Sequence, residues 1–430
     1  MTRPGPSLRQ LQADVEARAA HAGLQLPEIV YEVVDARRLN EIAAYGGFPV
    51  RYPHWRFGME YDRLIKGHAY GLQKIYELVV NTRPVLAYLL SQNAPVEQKL
   101  VMAHVCGHAD FFAHNAWFAH TEPDMLDRLA SHGTRLRLLA DEFGLEPVED
   151  FVDLVQGLDN LVDAGALGRA IGRTGNAPPL DAESGAPERD ILGHLLLHAP
   201  LDDWQHEVLA ILRDEAYYFL PQGLTKIMNE GWASFWHSRL MTSELLRDAE
   251  VVDYAEQHSG AMGGSDGPMN PYKLGLELFR ALHARAGGER GGGLDAIFEA
   301  RTIHNDLTFV DAHLDLEFAR RHRLGANDEE CAQAREQLLA QLTNGGQPVI
   351  RRVASRADGE LSLEHCWSGS ELQLDVAELT LQNLGRLWRA PVSLSTRLDG
   401  RALLLSCVDG KLAREFGELL ERPAVDAPPS

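Results

Sequence analysis

Apolar residues recur at helical spacing along most of the chain up to residue 344. The predicted helices cover residues 7–23, 61–92, 98–120, 202–219, 225–239 and 329–342. Pro271 predicts the start of one more helix, because proline suits the first helical turn. Residues 31–35 predict a short strand or an extended segment, and Pro84 predicts a break in the second helix. The pattern therefore predicts a large, mainly helical domain.

The pattern changes after Asn344-Gly345-Gly346. Alternation or β-branched residues predict strands over residues 348–354, 360–367, 391–398 and 401–408. Asp399-Gly400 predicts a hairpin turn between the last two strands, and residues 377–389 predict a helix. We therefore predict a helical domain over residues 1–344 and a small α+β domain over residues 345–430.

Composition and charge narrow the classes of function. Of the 430 residues 45% are hydrophobic, as in an ordinary globular protein. The 41 Lys and Arg against 62 Asp and Glu give a net charge of −21, which is unsuited to nucleic-acid phosphates and anionic membranes. The four cysteines form no Cys-x-x-Cys pair, which argues against a disulfide framework and a cysteine zinc site. Without an apolar membrane span or signal peptide in the sequence, we expect a cytoplasmic protein.

Two histidines four residues apart, His104 and His108, lie within a predicted helix. This spacing places both imidazoles on one face, about 6 Å apart along the axis, where they can share a metal ion. Zinc helices of metalloproteases carry the pattern His-Glu-x-x-His, whose glutamate is the general base. Val105 occupies the glutamate position here, so the ligand pair is present and the base is missing. The alternative is that both histidines are packing or surface residues.

Residues 229–233 read Asn-Glu-Gly-Trp-Ala, which is similar to the Asn-Glu-Gly-Phe-Ala segment of gluzincin aminopeptidases. In those enzymes the glutamate is the third zinc ligand. Two histidines and one carboxylate leave a fourth position of zinc open for water. We therefore predict that the histidine pair and Glu230 bind Zn²⁺ or another divalent metal. The alternative is a salt bridge of Glu230 with Arg213 or Arg239.

Two nearby polar residues fall outside this ligand set. His237 is seven residues after Glu230, on the same face but roughly 10.5 Å along the helix, which is too far for one zinc shell. It is predicted to act behind the ligands, in substrate binding or in proton transfer. Asp110 follows His108 by two residues, about 200° round the helix, and is predicted to contact another helix or to orient a ligand.

Further candidates come from two other segments. Residues 213–219 read Arg-Asp-Glu-Ala-Tyr-Tyr-Phe, in which Glu215 is a candidate for the missing general base and Tyr217 for assisting proton transfer. A structural salt bridge between Glu215 and an arginine is the alternative. His304 and Asp306 have a spacing that can pair them in a turn or strand, and they are predicted to orient ligand side chains.

These segments together resemble the SpoVR family. The resemblance is carried by residues 47–58, 98–112, 213–219, 225–238 and 270–275, and by His304 to Asp306. It departs from the family pattern at residues 387–392, where an arginine is displaced by one position. The resemblance implies a bacterial cytoplasmic protein of spore cortex or coat formation or, in bacteria that do not sporulate, of stress physiology. It also implies a PrkA-type serine kinase as a partner.

Two main hypotheses for the function follow. The first is a zincin-like metal-dependent hydrolase, or a degenerate relative, that acts on an amide or peptide bond of a peptide-like substrate. The second is a non-catalytic regulatory or scaffold protein that works with a serine kinase or in spore cortex or coat assembly. A third is an iron site bridged by carboxylates and histidines between helices. The first hypothesis requires a bound metal, the second allows a structural one, and iron in place of zinc would favour the third.

Overall fold

The computed structural model describes residues 5–52, 54–69, 77–171, 188–255, 271–356 and 359–419. These residues include the helices α1 (Pro6–His21), α2 (Ala36–Ala44), α3 (Trp55–Ala69), α4 (Pro95–His114), α5 (Met125–Phe143), α6 (Leu145–Gln156), α7 (Ala164–Ala170), α8 (Ile191–His198), α9 (Asp203–Leu224), α10 (Lys226–Leu240), α11 (Pro271–Arg285), α12 (Gly293–Ile303), α13 (Asp306–His313), α14 (Leu316–Arg321), α15 (Asp328–Leu342) and α16 (Leu374–Trp388). They also include the strands β1 (Ile29–Val34), β2 (Glu77–Val80), β3 (Val85–Leu90), β4 (Ile350–Arg352), β5 (Leu361–His365), β6 (Val392–Leu398), β7 (Arg401–Val408) and β8 (Lys411–Leu419).

The chain divides into two compact units. The first unit is Met1–Arg135 with Thr225–Arg323, and the second unit is Leu136–Leu224 with Leu324–Ser430. Each unit is therefore built from two separate stretches of the chain.

A three-stranded sheet in the order β1–β3–β2 belongs to the first unit. β1 runs parallel to β3, with Tyr31 opposite Ala87, and β2 runs antiparallel to it, with Val79 opposite the same alanine. Residues 87–90 of β3 are at most 2% exposed. The sequence of β3, Val-Leu-Ala-Tyr-Leu-Leu, is accordingly apolar at every position and does not alternate.

The predicted helix over residues 61–92 is wrong in its second half. Its residues 61–69 correspond to the end of α3, and residues 70–76 lie outside the described part of the chain. β2 and β3 occupy residues 77–80 and 85–90. A short, wholly apolar run carries no period that distinguishes a buried strand from a buried helix, and β3 is such a run. The strand predicted at residues 31–35 is confirmed as β1, which starts at Ile29.

The helix α4 lies at the centre of the first unit. It packs against α10, and α10 packs in turn against α11. α4 is buried almost continuously from Val96 to Phe111, which is why its apolar residues do not keep to one face. α4 and α10 correspond to the helices predicted over residues 98–120 and 225–239. α4 ends earlier than predicted, because Asn115 accepts a hydrogen bond from the Trp117 amide and starts a 3-10 turn.

The second unit contains a five-stranded sheet in the order β4–β5–β6–β7–β8. The parallel strands β5 and β6 are joined by α16, and the other neighbouring strands are antiparallel. α16 contacts β6 and β7, and Leu384 of the helix and Leu405 of β7 are at most 1% exposed. Asp399 and Gly400 have φ values of 50° and 73°, as a tight hairpin turn requires. The hairpin predicted there is confirmed.

The protein is mainly α-helical with a small α+β part at its C-terminal end, as predicted. The predicted boundary near residue 345 falls inside the second unit, which joins the C-terminal residues to Leu136–Leu224. The division into domains of residues 1–344 and 345–430 stays a prediction. Within the described part of the chain, no helix has both the length and the apolar character needed to cross a membrane.

Candidate metal centre

Three predicted ligands from two helices meet in the first unit. The Nε2 atoms of His104 and His108 each lie 3.6 Å from Oε2 of Glu230. One donor atom from each of the three residues lies within 4.8 Å of the other two. The two imidazole rings have centroids 4.5 Å apart and stand nearly perpendicular to each other. The spacing of four residues on α4 therefore brings both rings to the carboxylate of α10.

Glycines allow α4 and α10 to approach closely enough for this meeting. A Cβ atom on Gly107 would lie 2.6 Å from the Cα atom of Ala233, well inside any real contact. On the other side of α10, a Cβ on Gly231 would lie 2.5 Å from the Cα atom of Gly275 in α11. Gly107 and Gly231 therefore allow the helix backbones to come together. Their neighbours in the chain, His108 and Glu230, supply the donor atoms.

The donor set fits a tetrahedral divalent ion such as zinc. Bonds of about 2.0–2.2 Å in tetrahedral geometry place ligand atoms roughly 3.3–3.6 Å apart, close to the observed nitrogen-to-oxygen distances of 3.6 Å. Burial and the neighbouring His104 lower the pKa of His108 to about 4, so that its imidazole is neutral near pH 7. A neutral imidazole is the form that binds a metal ion.

Both histidines have a second partner on α10 at their other ring nitrogen. Nδ1 of His104 lies 2.7 Å from Nδ1 of His237, and Nδ1 of His108 lies 2.8 Å from Oδ1 of Asn229. His237 is 4% exposed, so it lies in the interior behind His104. Its predicted place behind the ligands agrees with this contact, whereas its catalytic role stays a prediction. Asn229 is a site residue that the sequence reasoning missed.

A comparison of sequences places this site in a known family. The sequence model of the family described as SpoVR like protein matches residues 5–175 and 169–344. The chain belongs to the SpoVR family. Both ligand helices of the candidate site fall inside the matched residues, and residues 345–430 fall outside them.

One relative of this SpoVR-family chain is the Uncharacterized protein YcgB of Escherichia coli (strain K12). It is 30% identical over an alignment of 304 residues, and the match covers 58% of this chain and 58% of the relative. The aligned part therefore covers less than two thirds of either protein. No solved structure matches the chain.

In this SpoVR-family chain, the two arginines that were considered as salt-bridge partners of Glu230 form ion pairs with other carboxylates. Arg213 forms an ion pair with Asp190, and Arg239 forms one with Glu289. Each guanidinium group thus has a carboxylate partner other than Glu230. The metal interpretation of Glu230 gains from this arrangement, because its carboxylate faces two imidazoles instead.

Glu215 and Tyr217 lie on α9, in the second unit. Glu215 is 3% exposed. The Tyr217 hydroxyl accepts a hydrogen bond from the Asp163 amide, and burial raises the pKa of this tyrosine. The ring also lies under the Arg213 guanidinium, 4.7 Å from the ring centroid. Their predicted roles in proton transfer stay predictions.

Asp110 of this SpoVR-family chain connects α4 to other elements. Its carboxylate accepts hydrogen bonds from the Trp232 indole at 3.0 Å and from the backbone N–H of Gln25 at 2.9 Å. It also lies 3.4 Å from the Arg301 guanidinium. Asp110 thus contacts two other helices, because Trp232 belongs to α10 and Arg301 to α12. Orientation of a ligand by Asp110 stays a prediction.

His304 lies in the turn between α12 and α13, and Asp306 is the first residue of α13. Nδ1 of His304 lies 3.1 Å from the Thr308 hydroxyl. Asp306 accepts hydrogen bonds from the amides of Ile227 and Met228, at 2.8 and 2.9 Å. It therefore caps the N-terminus of α10, the helix that carries Glu230. The predicted orientation of ligand side chains by His304 and Asp306 stays a prediction.

The substitution Asp306→Ala is expected to destabilise the first unit by about 2 kcal/mol or more. Two amides at the start of α10 would lose their acceptor, and an unsatisfied buried amide costs roughly 1–3 kcal/mol. The local N-cap residue, Thr225, makes no side-chain cap that could replace it. Urea unfolding of the full chain measures the change. The exposed Asp311 on the same helix provides the control Asp311→Ala, and equal midpoints for the two variants would contradict the capping role.

Proposed function

We propose that this protein is a zincin-like metal-dependent hydrolase that acts on an amide or peptide bond. His104, His108 and Glu230 would hold Zn²⁺ or another divalent ion. The observation that carries the proposal is the convergence of their donor atoms, all within 4.8 Å of one another, at the crossing of α4 and α10. A zinc ion held by two histidines and one glutamate polarises a carbonyl group and lowers the pKa of a bound water.

Proton transfer needs a residue other than that of the metalloprotease motif. Val105 stands at the motif position, and it is fully buried. The candidates are Glu215, His237 and Tyr217. Nδ1 of His237 already contacts the side chain of His104, and the raised pKa of Tyr217 makes it a poor base near pH 7. Glu215 is a candidate for the base from the sequence alone, because carboxylates commonly serve in this role.

The same Val105 favours a second candidate function. A chain that keeps the metal ligands and lacks the motif base suits a structural metal in a regulatory or scaffold protein. A kinase or a spore-envelope component would be its partner. In that case the ion stabilises the crossing of α4 and α10 and performs no chemistry.

Elemental analysis of the purified full chain tests both versions. We expect close to one divalent ion per chain, most simply zinc, and hydrolysis of a fluorogenic peptide library that a chelator abolishes and added Zn²⁺ restores. Metal without hydrolysis would support the structural version, and iron in place of zinc would support an iron site. Absence of bound metal, with a Tm that chelators leave unchanged, would sink all of these proposals.

A further inference from the structure

The contacts that His104 and His108 make through Nδ1 affect which ring nitrogen carries the proton in each of them. A neutral imidazole carries one proton, on either Nδ1 or Nε2, and only the bare nitrogen can bind a metal ion. In both His104 and His108, Nε2 faces Glu230 and Nδ1 faces another residue of α10. Metal binding through Nε2 therefore requires the proton on Nδ1 in both rings.

Asn229 supplies the partner that this proton arrangement needs at His108. Its side-chain oxygen can only accept a hydrogen bond, so at 2.8 Å it holds a proton on Nδ1 of the histidine. Asn229 immediately precedes Glu230 on α10, about 100° round the helix axis. One helix thus presents the carboxylate to one nitrogen of His108 and the amide oxygen to the other.

His237 plays the corresponding part for His104. Two ring nitrogens 2.7 Å apart can share only one proton when both rings are neutral. A proton on Nδ1 of His104 makes Nδ1 of His237 the acceptor, which in turn places the proton of His237 on its Nε2. The ring centroids of the pair are 5.0 Å apart, and both residues are at most 5% exposed, so competition from bulk water is small.

We propose that Asn229 and His237 are positioning residues that fix the Nδ1–H tautomers of His108 and His104 and so leave both Nε2 atoms ready to bind a divalent cation. The proposal deepens the proposed function and rests on its metal site. Partners of this kind also hold the rings in place, and their loss typically costs about 10–100-fold in metal affinity. α10 would thus supply one ligand and both positioning residues.

Histidine tautomers can be read directly in the metal-free protein. The full chain, labelled with ¹⁵N-histidine and stripped with a chelator, gives long-range ¹H–¹⁵N correlations that separate the two tautomers. The variants His104→Gln, His108→Gln and His237→Gln assign the signals by their loss. We expect Nδ1–H for His104 and His108, and Nε2–H for His237. A proton on Nε2 of His104 or His108 would overturn the proposal.

Zinc affinity, measured by competition with a chromophoric chelator, tests the positioning role separately. Asn229→Leu and His237→Leu remove the acceptors and are expected to weaken Zn²⁺ binding by about 10–100-fold each. Asn229→Asp and His237→Gln restore an acceptor and should recover most of the affinity. His114 lies on α4 with the two ligand histidines, but its Nδ1 is hydrogen-bonded to the backbone carbonyl of Asp110. His114→Leu is therefore the control and should leave the affinity for Zn²⁺ unchanged.

The outcomes separate this proposal from the one on which it rests. Leucine variants that bind Zn²⁺ as tightly as the wild type would overturn the positioning role, even if the wild type is a hydrolase. A wild type that binds no divalent ion would sink the proposed function. In that case the tautomer spectrum still decides whether these two residues set the protons of the ligand histidines.

Discussion

The substitution Glu230→Ala is expected to abolish zinc-dependent stabilisation of the protein. The site would lose its charged ligand and the donor that faces both imidazoles at 3.6 Å. We expect the affinity for Zn²⁺ to fall by more than about 100-fold, which exceeds the usual effect of losing a residue behind a ligand. A site filled at 1,000 times its Kd adds about 4 kcal/mol to the stability of the folded state, so the change in Tm on adding Zn²⁺ is a sensitive measure.

The comparison of each variant with and without Zn²⁺ separates metal binding from general stability. Glu230→Ala can change the stability of the metal-free protein in either direction, because it removes an acid from a site that is only 19% exposed. Glu41→Ala, at a glutamate of α2 whose side chain is 45% exposed and pairs with Arg38, is the control and should keep the full zinc-dependent shift in Tm. An equal shift in the two variants would remove Glu230 from the ligand set.

The substitution Gly275→Ala is expected to be among the most destabilising single changes in the first unit. A Cβ atom there would lie 2.0 Å from the carbonyl oxygen of Ile227 and 2.9 Å from the Cα atom of Gly231. These are backbone atoms, so no side chain can turn away, and α11 must move from α10. Overpacking of this kind costs about 1–3 kcal/mol and can cost more, and we expect the upper end or beyond. Urea unfolding of the full chain measures the loss.

Gly58→Ala is the matched control for this change. Gly58 also lies within a helix of the first unit. Beyond its chain neighbours and its own helix backbone, no atom of the described residues lies within 4 Å of the site where a Cβ would be added. Alanine is favoured over glycine in a helix by about 1 kcal/mol, so the control should be neutral or slightly more stable. A Gly275→Ala protein as stable as this control would show that α10 and α11 do not approach as closely as described.

The meeting of His104, His108 and Glu230 could be predicted because each part of it depends on local spacing. His104 and His108 are one helical turn apart, and Glu230 lies in a segment whose neighbours already indicated a ligand role. Asn229 was missed for a physical reason. Its function depends on which flank of α10 faces α4, and the crossing of two helices distant in sequence is not encoded in the period of either one.

Other parts of the fold escaped prediction for related reasons. The residues of β3 are apolar throughout, so their pattern carried no period, and only pairing with β1 and β2 makes them a strand. Asp306 was predicted to act near the site, yet its cap on α10 joins residues 79 and 78 positions apart in the chain. The hairpin at Asp399-Gly400 was predicted because a two-residue turn is entirely local.

The division of the first unit into two stretches of chain affects its assembly on the ribosome. His104 and His108 leave the ribosome with the first stretch, whereas Glu230 follows only after the whole of Leu136–Leu224 has been made. At about 5–20 residues per second, the nascent chain spends roughly 6–25 s with the histidine pair present and the carboxylate absent. Throughout that interval the newly made α4 lacks both α10 and α11, and the apolar surface that packs against α10 in the first unit is left for chaperones to cover.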